Sequence, residues 1–280
     1  MEDLKTWIGR TESAHDVAAP GPLEGLEALL DHNSSPWPPG EVPPLGHWLY
    51  FLPRAPQRTI TQDGHPARGA FLPPTPLPRR MWAGSRLTFL APIPIGAKIE
   101  RRSTIADVSP KNGASGEMLF VTVRHNIHAD GIHAISEEQD IVFREASSTP
   151  TPPPGPAAPP PACDFAFTMS ADIVRLFRYS ALTFNGHRIH YDRAYARDVE
   201  GYPGLVVHGP YLGTLLMDHF LRRRPRAQLL RFEFRARRPV FDLAPFTLCL
   251  NDKPGGAELW VAGPDGEACM TATLEAADDL

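Results

Sequence analysis

Apolar and polar residues alternate along several stretches of this 280-residue chain. Leu87-Thr-Phe89-Leu-Ala91 and Phe232-Glu-Phe234-Arg-Ala236 repeat their apolar residues at every second position, the period of a strand with one buried face. A second pair of alternating segments lies downstream of each. Met118 to Arg124 and Ile132 to Phe143 flank Ala129-Asp130-Gly131, while Glu258 to Ala262 and Glu267 to Leu274 flank Pro264-Asp265-Gly266. An Asp-Gly step between such segments favours a tight hairpin, because glycine takes a positive φ without a Cβ clash. Strand, turn and strand are therefore predicted twice. Leu87 to Ile95 can be laid on Phe232 to Val240 at a constant offset of 145, so the two halves read as copies of one unit.

Helical periodicity fills the remaining stretches. Ala171 to Arg178, with Ser170 as its predicted N-cap, places Ile173, Leu176 and Phe177 on one face. A longer helix is predicted from Pro210, with Leu212, Leu215, Leu216, Phe220 and Leu221 on its buried side and Gly213 allowing close approach. The first half carries weaker helical signals at Leu23 to Leu30 and Gly46 to Phe51. Proline dominates the run from Pro150 to Pro161; it has no N–H to donate, so this run reads as an extended linker. The expected organisation is an N-terminal domain at 1–148, a linker at 149–162 and a C-terminal domain at 163–280. The fold class that satisfies this order is α+β, a double hotdog with two antiparallel sheets each wrapped around a central helix.

Composition narrows the function. With 42% hydrophobic and 21% charged residues the chain is that of a soluble protein with a sizeable core, and a net charge of −4 argues against nucleic acid as the main partner. The basic run Arg222 to Arg226 reads as a solvated helix end, with contacts to an anionic ligand as the alternative. Cys163, Cys249 and Cys269 follow no metal or disulfide spacing, which suits a reducing compartment. Charges near the N-terminus and the lack of any eighteen-residue apolar window lead to an expectation of a cytoplasmic protein with no membrane partner.

Chemistry concentrates in Ser180-Ala-Leu-Thr-Phe-Asn185-Gly-His187-Arg-Ile-His190 and in Gly204-Leu-Val-Val-His208-Gly209-Pro210. His190 is the side chain suited to moving a proton near neutral pH, and Asn185 can orient a water without changing charge. Gly209 and Pro210 open a helix whose free N–H groups can hold a developing negative oxygen. His187, His190 and His208 are near in sequence, but no cysteine joins them and no HExxH occurs, so no metal is expected. Ser180 lacks the GxSxG setting of a nucleophile.

On Ser180 to Asp192 and Gly201 to Pro210, the chain resembles the MaoC-type hotdog hydratases and dehydratases. With Pro44 to Phe51 and Pro78 to Gly84 added, it is most similar to their two-hotdog group, which includes mesaconyl-CoA (3-methylfumaryl-CoA) hydratases. The resemblance implies a hydro-lyase that reversibly adds water to a 2-enoyl thioester, a branched or dicarboxylic acyl-CoA, without cofactor or metal. It places the water-holding histidine on His190 and the glycine N–H facing the thioester oxygen on Gly209. The family's aspartate position is Asn185, and an amide is no base, so proton transfer would fall to His190 while Asn185 positions the water. The offset of 145 sets Gly40 and Leu45 against Asn185 and His190, so the first half is expected to be catalytically degenerate and to wall an acyl pocket. His208, Pro210, Arg178, Arg188 and Arg80 are the substrate-binding candidates, and a homodimer is allowed but not required. A fatty-acid-type 3-hydroxyacyl-thioester dehydratase, an acyl-CoA thioesterase and a non-catalytic thioester-binding subunit are the alternatives.

Overall fold

Each half of the chain contributes five strands to one antiparallel sheet. The structure, a computed structural model, describes residues 4–113, 116–145, 151–155, 162–225 and 227–277. The N-terminal half supplies β1 (Thr11–Val17), helix α1 (Pro20–Leu29), β2 (Arg79–Phe89), β3 (Lys98–Gly113), β4 (Gly116–Ala129) and β5 (Ile132–Arg144). The C-terminal half supplies β6 (Phe165–Met169), helices α2 (Ile173–Leu182), α3 (Arg193–Asp198) and α4 (Gly209–Leu221), then β7 (Leu229–Ala236), β8 (Phe246–Lys253), β9 (Gly256–Ala262) and β10 (Ala268–Ala276). The strands lie in the order β1-β3-β4-β5-β2-β7-β10-β9-β8-β6. Counted inward from its own edge, each half has the same order. The two sheets expected from the sequence are thus joined edge to edge through antiparallel β2 and β7. At that seam Leu87 lies opposite Phe232, the pair that the offset of 145 equates, so the approximate two-fold axis between the halves passes through it.

Local chemistry explains the elements. Leu119, Val121, Val123, His125, Ile127 and Ala129 all point inward along β4, the period-two pattern of a sheet with one covered face. Its turn into β5 has positive φ at both Asp130 (46°) and Gly131 (85°), the conformation that matches strand twist in a two-residue hairpin. Helix α4 is buried on every side from Tyr211 to Leu221, as its near-continuous apolar sequence requires. Its buried Asp218 is not left alone: His32 Nε2 donates to it at 2.6 Å and Arg222 Nε at 2.8 Å.

Two helical expectations change. In place of a central helix, the N-terminal half has a single 3₁₀ turn at Gly46–Leu49 followed by a long loop. Pro43 and Pro44 precede that turn and Pro53 and Pro56 follow it, each removing a donor that a longer helix would need. In α2 the N-cap is Asp172 rather than Ser170; its side chain accepts from the Arg175 N–H at 2.9 Å. Leu176 and Tyr179 then face the core, leaving Ile173 46% and Phe177 60% exposed. Of the proline run, residues 151–155 form neither helix nor strand, and the Thr151 N–H donates to Gly201 O at 2.8 Å; the rest of it lies outside the described residues.

The seam depends on one missing side chain. A Cβ at Gly84, beside a bulge in β2, would collide with the backbone carbonyl of Phe234 on β7. Gly84→Ala is expected to destabilise the protein by about 1–3 kcal/mol, the usual range for forced overpacking, read as a lower urea midpoint with unchanged secondary structure content. An unchanged midpoint would show that the seam tolerates separation.

Candidate active site

A cavity of about 1370 Å³ lies where the N-terminal half has no helix. One wall is the inward face of β4 and β5, including Val123, His125, Ile127, Gln139 and Ile141. The loop after the 3₁₀ turn closes another side, and Asn185, His190, Gly209 and Pro210 come to it from the C-terminal half. The space is larger than the ~300–1,000 Å³ of an ordinary small-molecule pocket.

The loop after α2 is shaped by its own polar groups. Asn185 N–H donates to Ser180 O at 2.8 Å, and Asn185 Oδ1 accepts from His187 N–H at 3.0 Å. The carbonyl end of that side chain is therefore used within the loop, leaving its NH₂ as the end that can serve a ligand. His190 ends a 3₁₀ turn (Arg188–His190), and its Nδ1–H donates to Val206 O at 2.7 Å. That bond fixes the tautomer: Nε2 carries the lone pair and has no hydrogen-bond partner among the described residues. Burial pushes the His190 pKa down to about 4, with the Val206 bond opposing and the charge of His65 adding to the effect. At neutral pH the ring is uncharged and able to take a proton.

His208 caps α4 from behind. Its ring stacks on that of His190 with centroids 3.6 Å apart, and its Nε2 lies 2.8 Å from Ser180 Oγ. It is 1% exposed and is not part of the cavity wall. The structure therefore places it, expected from the sequence to bind substrate, behind the His190 ring and off the cavity wall. Gly209, the first helical residue, has a backbone N–H that finds no acceptor within the helix, and a Cβ there would sit 3.3 Å from Trp82 O. Gly209 and Pro210 both face the cavity.

The arginine candidates separate clearly. Arg178 is exposed on α2 and lies off the cavity. Arg188 binds Asp192 at 2.7 Å and Gln62 O at 3.1 Å and lies 4.2 Å over the Tyr195 ring, so it holds the loop together rather than reaching the cavity. Arg80 lines the cavity, and its guanidinium makes no hydrogen bond or ion pair with any described residue. Burial, with the like charge of Arg68, lowers its pKa to about 10, which still leaves it cationic at neutral pH.

Sequence reasoning missed two groups. The first is the segment Thr61 to His65, brought to the Asn185–His190 loop by an Arg188 N–H to Asp63 O bond of 2.9 Å. Gly64 (φ 93°) abuts Gly186 so closely that a Cβ on Gly64 would overlap the Gly186 carbonyl. The His65 and His187 rings lie 4.3 Å apart, and His187 is 5.3 Å from His190. Asp63, His65 and His187 offer atoms within 4.8 Å of one another that could hold a metal ion. Asp63 already accepts from Thr61 and from the backbone and ring of His65, and the charge of Arg80 acts on both imidazoles, which opposes a second cation there. His190 and His208, weighed as ligands from the sequence, stack face to face at 21° instead of converging on a point.

The second missed group is Glu137, 1% exposed on β5. His47 Nε2, Ser85 Oγ and Gln139 Nε2 donate to it at 3.0 Å and Trp48 Nε1 at 3.1 Å. Burial alone would raise its pKa, but the hydrogen bonds from His47 and Trp48 and the charges of His47 and His125 hold it down at about 2. An inward glutamate in a period-two strand was the available signal.

A double hotdog with a neutral imidazole and a free helix N-terminus at one acyl-sized cavity has the parts of an acyl-thioester hydro-lyase. Residues 45–242 match the hydroxyacyl-thioester dehydratase type 2 family (Htd2), and the chain belongs to that family. It is 46% identical over 275 residues to the mesaconyl-C(4)-CoA hydratase of Chloroflexus aurantiacus, covering 98% of each chain. In fold it is similar to HtdX of Mycobacterium tuberculosis, with a TM-score of 0.69, 16% identity and 96% and 100% of the two chains covered. It is also similar to an M. tuberculosis protein described as a double hotdog, with a TM-score of 0.59, 14% identity and 96% of each chain covered. The protein is thus an enzyme of the hydro-lyase class. None of the helices in the described residues is long and apolar enough to cross a membrane.

The buried imidazoles make stability depend on pH. In the folded state the pKa values of His65, His187, His190 and His208 all lie below the usual value. Above the unfolded value, about 6.5, both states hold these rings neutral. As pH falls below it, the unfolded chain takes up protons first, so stability declines by roughly 1 kcal/mol per pH unit per histidine until the folded value is reached. Urea midpoints are expected to be level from pH 8 to 7 and to drop between pH 6.5 and about 4; a level midpoint through that window would contradict the neutral cluster.

Proposed function

We propose that the enzyme reversibly hydrates mesaconyl-C(4)-CoA or a close dicarboxylic 2-enoyl-CoA, the reaction named for the relative with which it shares 46% identity. The observation that carries this reading is His190, whose Nδ1 is tied to Val206 O while its Nε2 is left for the cavity that Gly209 also lines. Nε2 takes a proton from a water held by the Asn185 NH₂ as the water oxygen bonds to the β-carbon. The π electrons move toward the thioester carbonyl, where the Gly209 N–H and the α4 dipole steady the negative oxygen. The proton on Nε2 then goes to the α-carbon and the carbonyl re-forms, so the product contains the whole water molecule and no cofactor is consumed. The catalytic unit in this reading is residues 163–280, residues 1–148 form the wall of the acyl site, and 149–162 link them. Its three unpaired thiols suit a reducing compartment such as the cytoplasm.

The direct test is incubation with mesaconyl-C(4)-, itaconyl- and crotonyl-CoA, following loss of the conjugated double bond and identifying the hydrated product by mass. No absorbance change with any of them would overturn the reading. His190→Gln is expected to lower kcat by about 10²- to 10⁴-fold, the usual range for a positioned acid–base group, with an unchanged circular dichroism spectrum. Full turnover by that variant would remove His190 from the proton path. Because the base is neutral with a pKa of about 4, kcat/KM should stay level from pH 8 down to pH 6 and fall only at lower pH. A fall centred near 6.5 would mean that the working base is a solvated imidazole.

A further inference from the structure

An arginine inside a protein normally ends on a carboxylate or a carbonyl, because an unpaired charge away from bulk water is costly. Of the other arginines facing the cavity, Arg54 and Arg237 are exposed to water, Arg144 reaches the Tyr202 hydroxyl at 3.5 Å, and three more end on protein oxygens, although Nε of Arg101 and of Arg144 is buried without a partner among the described residues. Arg68 donates to the carbonyls of Thr75, Leu77 and Pro78, Arg101 lies 4.0 Å from Glu12, and Arg238 pairs with Asp265 and Glu267. Arg80 is partly buried, faces the cavity and ends on no group of the described residues. Asp63, the carboxylate whose charge reaches it, is already bonded to Thr61 and His65.

Its location is as informative as its lack of a partner. The charge of Arg80 acts on both His65 and His187, and the His187 ring is 5.3 Å from that of His190. The Arg80 guanidinium, without a partner among the described residues, therefore lines the same cavity as the proposed base. In a mesaconyl-C(4) thioester the free carboxylate is attached to the β-carbon, the atom that receives the water oxygen. A cation near the base is where that carboxylate would need one. Further along the wall, Glu137 would repel an anion, and its donors are already engaged.

We infer that Arg80 is the anchor for a carboxylate carried on the β-carbon of the acyl group, and so the residue that makes this site select dicarboxylic over plain enoyl thioesters. This rests on the hydratase reading above. The guanidinium fork can take both oxygens of a carboxylate in one plane, which fixes the rotation of the β-carbon relative to Nε2 of His190. It also offsets the repulsion between that carboxylate and the electron-rich water oxygen as the new C–O bond forms. The hydration itself is unchanged: water adds across the double bond and no group leaves.

The test compares wild type with Arg80→Gln and Arg80→Lys on mesaconyl-C(4)-CoA and crotonyl-CoA, together with calorimetric binding of two saturated analogues, methylsuccinyl-C(4)-CoA and butyryl-CoA. Arg80→Gln is expected to lower kcat/KM for the dicarboxylic substrate by roughly 100-fold, the scale of losing one member of a shielded charge pair, with Arg80→Lys recovering part of it. Methylsuccinyl-C(4)-CoA should bind correspondingly more weakly to Arg80→Gln, while crotonyl-CoA turnover and butyryl-CoA binding hold or improve. Equal losses with and without the carboxylate would make Arg80 structural and overturn the inference. Wild-type hydration of crotonyl-CoA but not of mesaconyl-C(4)-CoA would overturn the inference and leave a hydratase; hydration of neither would overturn the underlying reading itself.

Discussion

An inward sheet face has to be covered, and this chain has one full-length helix with which to cover two such faces. Helix α4 packs against β8, β9 and β10 and reaches across the seam to β2, while β4 and β5 are left to a loop. A loop rich in proline cannot fill the volume of a helix, so the uncovered face becomes a cavity wall. The seam between β2 and β7 fixes where that cavity meets the second half. It brings the Trp82 carbonyl against Gly209, and the start of α4 faces the vacant volume.

The chemistry of that meeting point is set by burial more than by charge pairing. Four imidazoles from two distant segments lie ring to ring, from His65 through His187 and His190 to His208, and protonation of any one would be opposed by its surroundings. Keeping His190 neutral requires that no carboxylate approach its ring closely, since a negative neighbour would favour the imidazolium. An amide at position 185 fits that requirement. Where the wider family is expected to carry an aspartate, Asn185 supplies a donor for water without adding a charge, and the tautomer of His190 is fixed by the neutral carbonyl of Val206.

Much of the fold was readable in the sequence because its signals are local. The alternation in β2, β4 and β7, the Asp-Gly turns and the apolar run of α4 each depend on residues within a few positions, and the duplication offset even locates the axis at Leu87 and Phe232. The Asn185–His190 loop and Gly209 were readable through the family resemblance and the helix-start chemistry. What escaped was non-local. His65 reaches the site from more than a hundred residues away through Gly64 and Gly186, and no periodicity marks such a contact. The three arginine candidates looked alike in sequence; in space Arg178 is exposed off the cavity, Arg188 ends on Asp192 and Gln62, and Arg80 lines the cavity with no partner among the described residues. The face of α2 was misjudged because its buried stripe runs through Leu176 and Tyr179, which leaves Phe177 outside.

The axis through Leu87 and Phe232 limits what two identical chains could do. In an assembly of two identical single-hotdog chains, every substitution appears on both sides of such an axis, so a cavity gained on one side destroys a catalytic loop on the other. Joining the two copies in one polypeptide lifts that symmetry. One half can then do with a 3₁₀ turn where the other carries α4, an asymmetry open to two joined copies but closed to two identical ones.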